Sequence, residues 1–254
     1  MCGRFTLQTP VADLVEIFEI DQVRTAPSSP RFNIAPTDPV VVVRRTTGGE
    51  RELDTLRWGL IPSWTRQAGE LPTLINARSE TLDKRPAFQE PSRSRRCLVL
   101  ADGFYEWRPE AGRRQPYLVR ARDGNPFAFA GLWDRWSGGG DPIESCTIVT
   151  TDANDLLRPV HERMPVILPM PDVSVWLDPD VRLYAELEPL LDPFPSESVE
   201  LTPVSPRVNR IQNDDDGCIE ALGPTIRTLE QWAERVAGVP ADPPPDRPDQ
   251  LDLL

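Results

Sequence analysis

Arg95-Arg96-Cys97-Leu98-Val99-Leu100-Ala101-Asp102-Gly103-Phe104-Tyr105-Glu106-Trp107 is the stretch on which the fold turns. It holds two short strand-like runs back to back, apolar at 97–101 and aromatic at 104–107. Similar runs recur at 40–44, 53–58, 117–120, 127–132, 145–149 and 166–168, without an internal repeat. Many short strands and few helices predict an α+β chain: a single domain with a mostly antiparallel, barrel-like β core and a few peripheral helices.

Around these runs the punctuation is readable. Gly48-Gly49 joins 40–44 to 53–58 as a hairpin. Thr9-Pro10 reads as an N-cap and a first-turn proline before an amphipathic helix carrying Leu14, Ile17 and Phe18. The Pro- and Asn-rich segment 27–39 reads as an ordered loop. Ser79-Glu80 starts a short helix ending near Pro86, Thr151 caps a helix through Leu157, and Thr228-x-x-Gln231 offers a capping box for a helix through Val236. The domain is expected to span 1–237, and 238–254, rich in Pro and Asp, reads as a disordered acidic tail.

Composition narrows the partners. No apolar run approaches the roughly 18 residues of a membrane span, and no signal peptide is evident, so a cytoplasmic location without a membrane partner is expected. Cys2, Cys97, Cys146 and Cys218 are scattered and His161 is the lone histidine, a poor set for zinc, so neither a metal nor a cofactor is expected. The formal charge of −12 argues at first against nucleic acid. It is uneven: residues 1–115 carry 17 basic and 15 acidic side chains, the remainder 11 and 25, so the first part has room for a basic groove.

The chemistry begins at Met1-Cys2-Gly3-Arg4-Phe5. Methionine aminopeptidase removes Met1 before a small residue, which leaves Cys2 with a neighbouring amine and thiol. An α-amine with a pKa of about 7.7–8.0 is substantially neutral at physiological pH. Such a pair suits acyl transfer by the thiolate, or capture of an aldehyde as an imine that the thiol closes to a thiazolidine. The plain alternative is a small buried hydrophobe.

Three further polar residues stand out. Strand alternation places Glu106 on the face opposite Tyr105 and Trp107: inward, it becomes a general acid of raised pKa; outward, a solvated carboxylate. His161 is either a proton carrier or a structural hydrogen-bonding group. Asn76 either positions Cys2 or forms a turn. Trp64, in a Pro-bounded turn, either packs or offers a stacking platform.

Taken together, MCGRF, FNIAP, LINARSET, RRCLVLADGFYEW and HERMPVIL resemble, in order and spacing, the SOS-response-associated peptidase (SRAP) family over roughly residues 1–215. The resemblance implies a covalent link between mature Cys2 and abasic sites in single-stranded DNA, protecting the lesion during the DNA damage response. It makes Cys2 the nucleophile, Asn76 its positioning amide, Glu106 the acid/base and His161 a second proton-handling group. It places Arg4, Asn33 and Arg78 on the phosphate path, Trp64 as the stacking surface and Arg163 beside the histidine. Sequence-independent binding by a monomer at the nucleoid follows. Some relatives carry a second Trp where this chain has Ser63 or Thr65, which weakens the expected stacking.

Two other functions fit the same residues: a thiol peptidase with Cys2 as N-terminal nucleophile that removes Met1 itself, and a reader of modified DNA that binds without reacting. A Schiff base also leaves open a lyase-like strand cleavage. The segment from Ile219 onward lies beyond the resemblance and reads as a helix and tail without a catalytic part.

Overall fold

The computed structural model describes residues 2–27, 29–110 and 112–237; the expected tail at 238–254 lies outside them. In chain order the elements are β1 (Phe5–Leu7), α1 (Val11–Ile17), β2 (Gln22–Val23), β3 (Arg31–Ile34), β4 (Pro39–Arg45), β5 (Arg51–Trp58), β6 (Asn76–Arg78), α2 (Pro86–Ser94), β7 (Arg96–Ala101), β8 (Gly103–Glu110), β9 (Arg113–Ala121), β10 (Phe127–Trp136), β11 (Ile143–Asp152), β12 (Arg163–Pro165), α3 (Met170–Leu177), α4 (Tyr184–Leu187), β13 (Val199–Pro203) and α5 (Leu229–Ala237).

Five strands close a barrel in the order β5-β4-β7-β10-β11, sealed where β11 meets β5 in parallel at Ser145↔Arg57 and Cys146↔Trp58. The remaining ladder steps of that barrel are antiparallel. A second sheet, β13-β9-β8-β1-β3, packs on it. Closure removes the free edges that an open sheet would expose. Phe5 joins the two layers, its ring 5.1 Å from Trp58 and 6.1 Å from Phe129, both edge-on, and Phe104 lies 5.9 Å from Phe129. Burying each Phe contributes about 1.5–3 kcal/mol.

The chain leaves the barrel for the second sheet at Asp102-Gly103. A Cβ on Gly103 would stand 2.6 Å from the Val119 carbonyl oxygen, so only glycine lets β8 approach β9 there. The Asp102 carboxylate accepts from the backbone N–H groups of Gln8 and Thr9 and from Thr9 Oγ1 at 2.5 Å, fixing the exit of β1. Thr9 is thereby diverted from capping α1, whose N-cap is Pro10. The 40–44/53–58 hairpin forms as expected, with Arg45↔Arg51 in register and Gly49 at φ 89° in the turn.

Three expectations of local structure are corrected. The segment 27–39 contains β3, held against β1 through Phe5↔Ile34. Thr151 does not cap a helix: β11 continues to Asp152 because Thr151 pairs with Met164 of β12, and the following residues form turns. The short helix expected from Ser79 forms but spans only Ser79–Thr81, and Pro86 instead opens a further helix, α2, over 86–94. Among the described residues no helix is long and apolar enough to cross a membrane.

Candidate active site

Beyond Phe5↔Phe104 the N-terminal segment continues along β8, where Arg4 O accepts from Tyr105 N at 3.0 Å. This register carries Cys2 toward Glu106. Cys2 is completely buried, and its carbonyl accepts from Asn76 Nδ2 at 2.9 Å. Asn76 Oδ1 is buried without a hydrogen-bond partner among the described residues. Asn76 is placed by β6, which runs parallel to β11 through Asn76↔Ile148. Burial pushes the Cys2 thiol well above its ordinary range, and the charge of Glu106 pushes it further.

Glu106 is 3 % exposed. Alternation along β8 directs Phe104 into the main core and Tyr105 to the opposite face, as expected, but that opposite face is not solvent. Residues 206–218 return across it, and Tyr105 packs with Val204, Val208 and Cys218 in a second small core. Both faces of β8 are therefore buried. Burial raises the Glu106 carboxyl from the ordinary 4.5 to about 7.

His161 lies in the turns between β11 and β12. Its backbone N–H donates to Leu157 O at 3.0 Å, and Nδ1 lies 3.0 Å from the Arg163 N–H. Nδ1 also lies 3.2 Å from Arg163 O, so it accepts from the Arg163 N–H in one neutral tautomer and donates to the Arg163 carbonyl in the other. Burial lowers its pKa, which keeps the ring neutral at physiological pH. The turn is attached to β8 by Arg108 Nε donating to Pro159 O at 3.2 Å. Arg108 shares the Glu106 face of β8, so the histidine segment sits at that face.

The expected DNA contacts separate into distinct environments. Arg4 Nη1 donates to Asn33 Oδ1 at 2.9 Å and to Val208 O at 3.0 Å. Asn33 is 1 % exposed, and its Nδ2 donates to the carbonyls of Val208, Arg210 and Asn213. Its side chain thus holds Arg4 and the 208–213 loop rather than facing solvent. Arg163 is occupied too: it grips Glu80 with two nitrogens at 3.1 and 2.9 Å, Asp152 at 2.9 Å and Thr150 O at 2.7 Å. Arg78 is exposed, with no partner for its guanidinium among the described residues, and Trp64 is 57 % exposed.

Sequence reasoning missed Arg210, also exposed and without a side-chain partner among the described residues, on the loop that Asn33 holds. No local signal marks it, since its place depends on a contact 177 residues away. Among the described residues no group of three or more His, Cys, Asp or Glu is arranged to hold a metal ion.

Comparison with known proteins places the chain in a family. The model of the family described as SOS response associated peptidase (SRAP) matches residues 1–211. The abasic site processing protein YoqW of Bacillus subtilis is 39% identical over 224 residues, covering 87% of this chain and 100% of the relative. The abasic site processing protein HMCES of Gallus gallus is 32% identical over 225 residues, covering 75% of this chain and 66% of its own. A crystal structure of a Bacteroides thetaiotaomicron protein superposes with a TM-score of 0.76 at 26% identity, over 87% of this chain and 100% of that one. On the family match and the level of identity to YoqW, the chain belongs to the SRAP family.

Proposed function

We propose that this chain, with Met1 removed, captures abasic sites in single-stranded DNA through Cys2. The observation that carries the reading is the grouping at one point of Asn76, bonded to the Cys2 carbonyl at 2.9 Å, and the buried Glu106, whose charge acts on the Cys2 thiol. Relatives named abasic site processing proteins support it.

The ring-opened abasic sugar presents an aldehyde at C1′. The neutral Cys2 amine adds its lone pair to that carbon, and the carbinolamine oxygen departs as water once protonated, giving a Schiff base. The thiol S–H then adds across C=N, sulfur to carbon and proton to nitrogen, closing a thiazolidine with no further loss. A carboxyl at about 7 is part protonated at neutral pH and is matched to donating that proton. Asn76 Oδ1 is the acceptor that orients the amine. Neutral His161 carries the proton that opens the sugar ring. Arg78 and Arg4 meet phosphates, while Asn33 acts through Arg4, and Trp64 stacks on a base.

The raised thiol pKa favours this order over a thiol peptidase. Thiolate attack requires a depressed pKa, whereas here burial and the charge of Glu106 push the thiol pKa up.

The test is intact mass before and after incubation with a single-stranded oligonucleotide carrying one abasic site. The expected product is the chain without Met1 plus the oligonucleotide less one water. It survives denaturation without borohydride, and Cys2→Ala does not form it. A correctly processed N-terminus that gives no adduct would overturn the proposal. Acetylating the amine should abolish capture, whereas a thiol-only hydrolase would survive that treatment.

A further inference from the structure

Helix α5 lies past the family match, which ends at residue 211, and no part of the covalent chemistry calls for it. Yet it is firmly built. Thr228 Oγ1 accepts from Gln231 N at 3.3 Å and Gln231 Oε1 accepts from Arg227 N at 2.6 Å, so the expected cap forms with the glutamine reaching one residue further back. One side chain of this helix, Trp232, is 3 % exposed.

Trp232 touches three groups. Its Nε1 donates to Leu156 O at 2.9 Å, its ring lies 5.2 Å from that of Tyr117, and the Arg108 guanidinium sits 5.5 Å from its ring centre. Each leads to the site. Tyr117 is directly opposite Glu106 in the β8–β9 ladder, with its side chain on the same face. Arg108 attaches the histidine segment to β8 through Pro159 O. Leu156 precedes the residue whose carbonyl receives the His161 N–H.

Arg235, one turn on, adds to this brace. Its Nε meets the Tyr117 hydroxyl at 2.5 Å and its Nη2 meets Glu110 at 3.3 Å. Glu110 also accepts from Arg108 at 3.2 Å and from the Tyr117 hydroxyl. The hairpin bearing Glu106 and the turn bearing His161 are thus fastened to one helix.

We propose that α5, through Trp232, is a positioning element that holds Glu106 and His161 in register for covalent capture. This rests on the reading given under Proposed function. Trp232 need not touch DNA; it acts through Tyr117, Arg108 and Leu156.

The test uses the full chain. Single-turnover cross-linking to a single-stranded abasic oligonucleotide gives the rate, and affinity for the same oligonucleotide with an unreactive tetrahydrofuran site gives binding. Trp232→Ala should slow cross-linking about tenfold or more, as small misplacements of reacting groups do, with affinity unchanged within about twofold. Trp232→Phe keeps a smaller aromatic ring and loses the Leu156 bond, so it should fall between wild type and Trp232→Ala. Val43→Ala, buried in the barrel wall, should lower the melting temperature without slowing capture.

Unchanged rates in both Trp232 variants would overturn the inference, as would a rate loss shared by Val43→Ala or an affinity loss in step with the rate. If Trp232→Ala does not fold, Trp232→Phe decides. Absence of an adduct from the wild type would instead sink the parent reading and this inference with it.

Discussion

Replacing Glu106 by Gln should make the protein more stable and less active, by amounts that follow from one pKa. Burial holds the carboxyl at about 7 instead of 4.5. Between those values the folded state binds more protons than the unfolded chain, so wild-type stability falls as pH rises through this window. At 1.36 kcal/mol per pH unit the ionised carboxylate costs about 3 kcal/mol once the pH exceeds 7. Glutamine has the same shape and no charge to desolvate. Glu106→Gln should therefore match wild type near pH 4.5 and exceed it by about 3 kcal/mol at pH 8. In a chain of this size that corresponds to a melting-temperature gain of about 6–12 °C. The assay is thermal unfolding of both proteins from pH 4.5 to 8.5, paired with cross-linking rates, which should drop roughly 10²–10⁴-fold with loss of the acid. A stability difference that stays flat with pH would refute the reasoning.

Further outcomes are expected at other positions. Cys2→Ser keeps the amine but supplies a poorer ring-closing nucleophile, so its adduct should be recovered only when borohydride traps the imine. Asn33→Ala removes the donor to three carbonyls, that of Val208 buried, and the acceptor for Arg4, and should cost about 2–4 kcal/mol in urea unfolding. A purely surface role for Asn33 would leave stability unchanged. Trp64→Ala should weaken binding of single-stranded DNA by about 1–3 kcal/mol without lowering the melting temperature, since the ring is 57 % exposed. Arg78→Ala should weaken binding to all sequences alike and reduce the salt slope by about one, measured by titration at several salt concentrations.

How far the fold and site were legible depends on how local their causes are. The barrel strands were visible because apolar and β-branched runs such as 97–101 are buried whatever their partners. The hairpin at Gly48-Gly49 was visible because its turn is encoded in place. The end of β11 was not: Thr151 looks like a helix cap until Met164 is placed opposite it. At β8, alternation located the Glu106 side chain correctly, but the burial of both strand faces depends on residues 206–218, about a hundred positions away. Asn33 was expected on the phosphate path and Arg163 among the DNA contacts beside the histidine, yet one satisfies carbonyls at 208–213 and the other is gripped by Glu80 and Asp152. Neither set of partners has a signature near the residue itself.

The bond from Arg4 to the Val208 carbonyl spans 204 residues, and Asn33 reaches on to Asn213. During synthesis, then, the N-terminal segment can pair early with β3 and β8 but cannot complete its contacts until most of the chain has left the ribosome. At about 5–20 residues per second that delay lasts on the order of 10–40 s. Throughout it Arg4 lacks its partner at Val208, and in the finished fold Cys2 is completely buried. The closure around Arg4 is thus among the last steps of folding, because one side of it is made by residues 208–213.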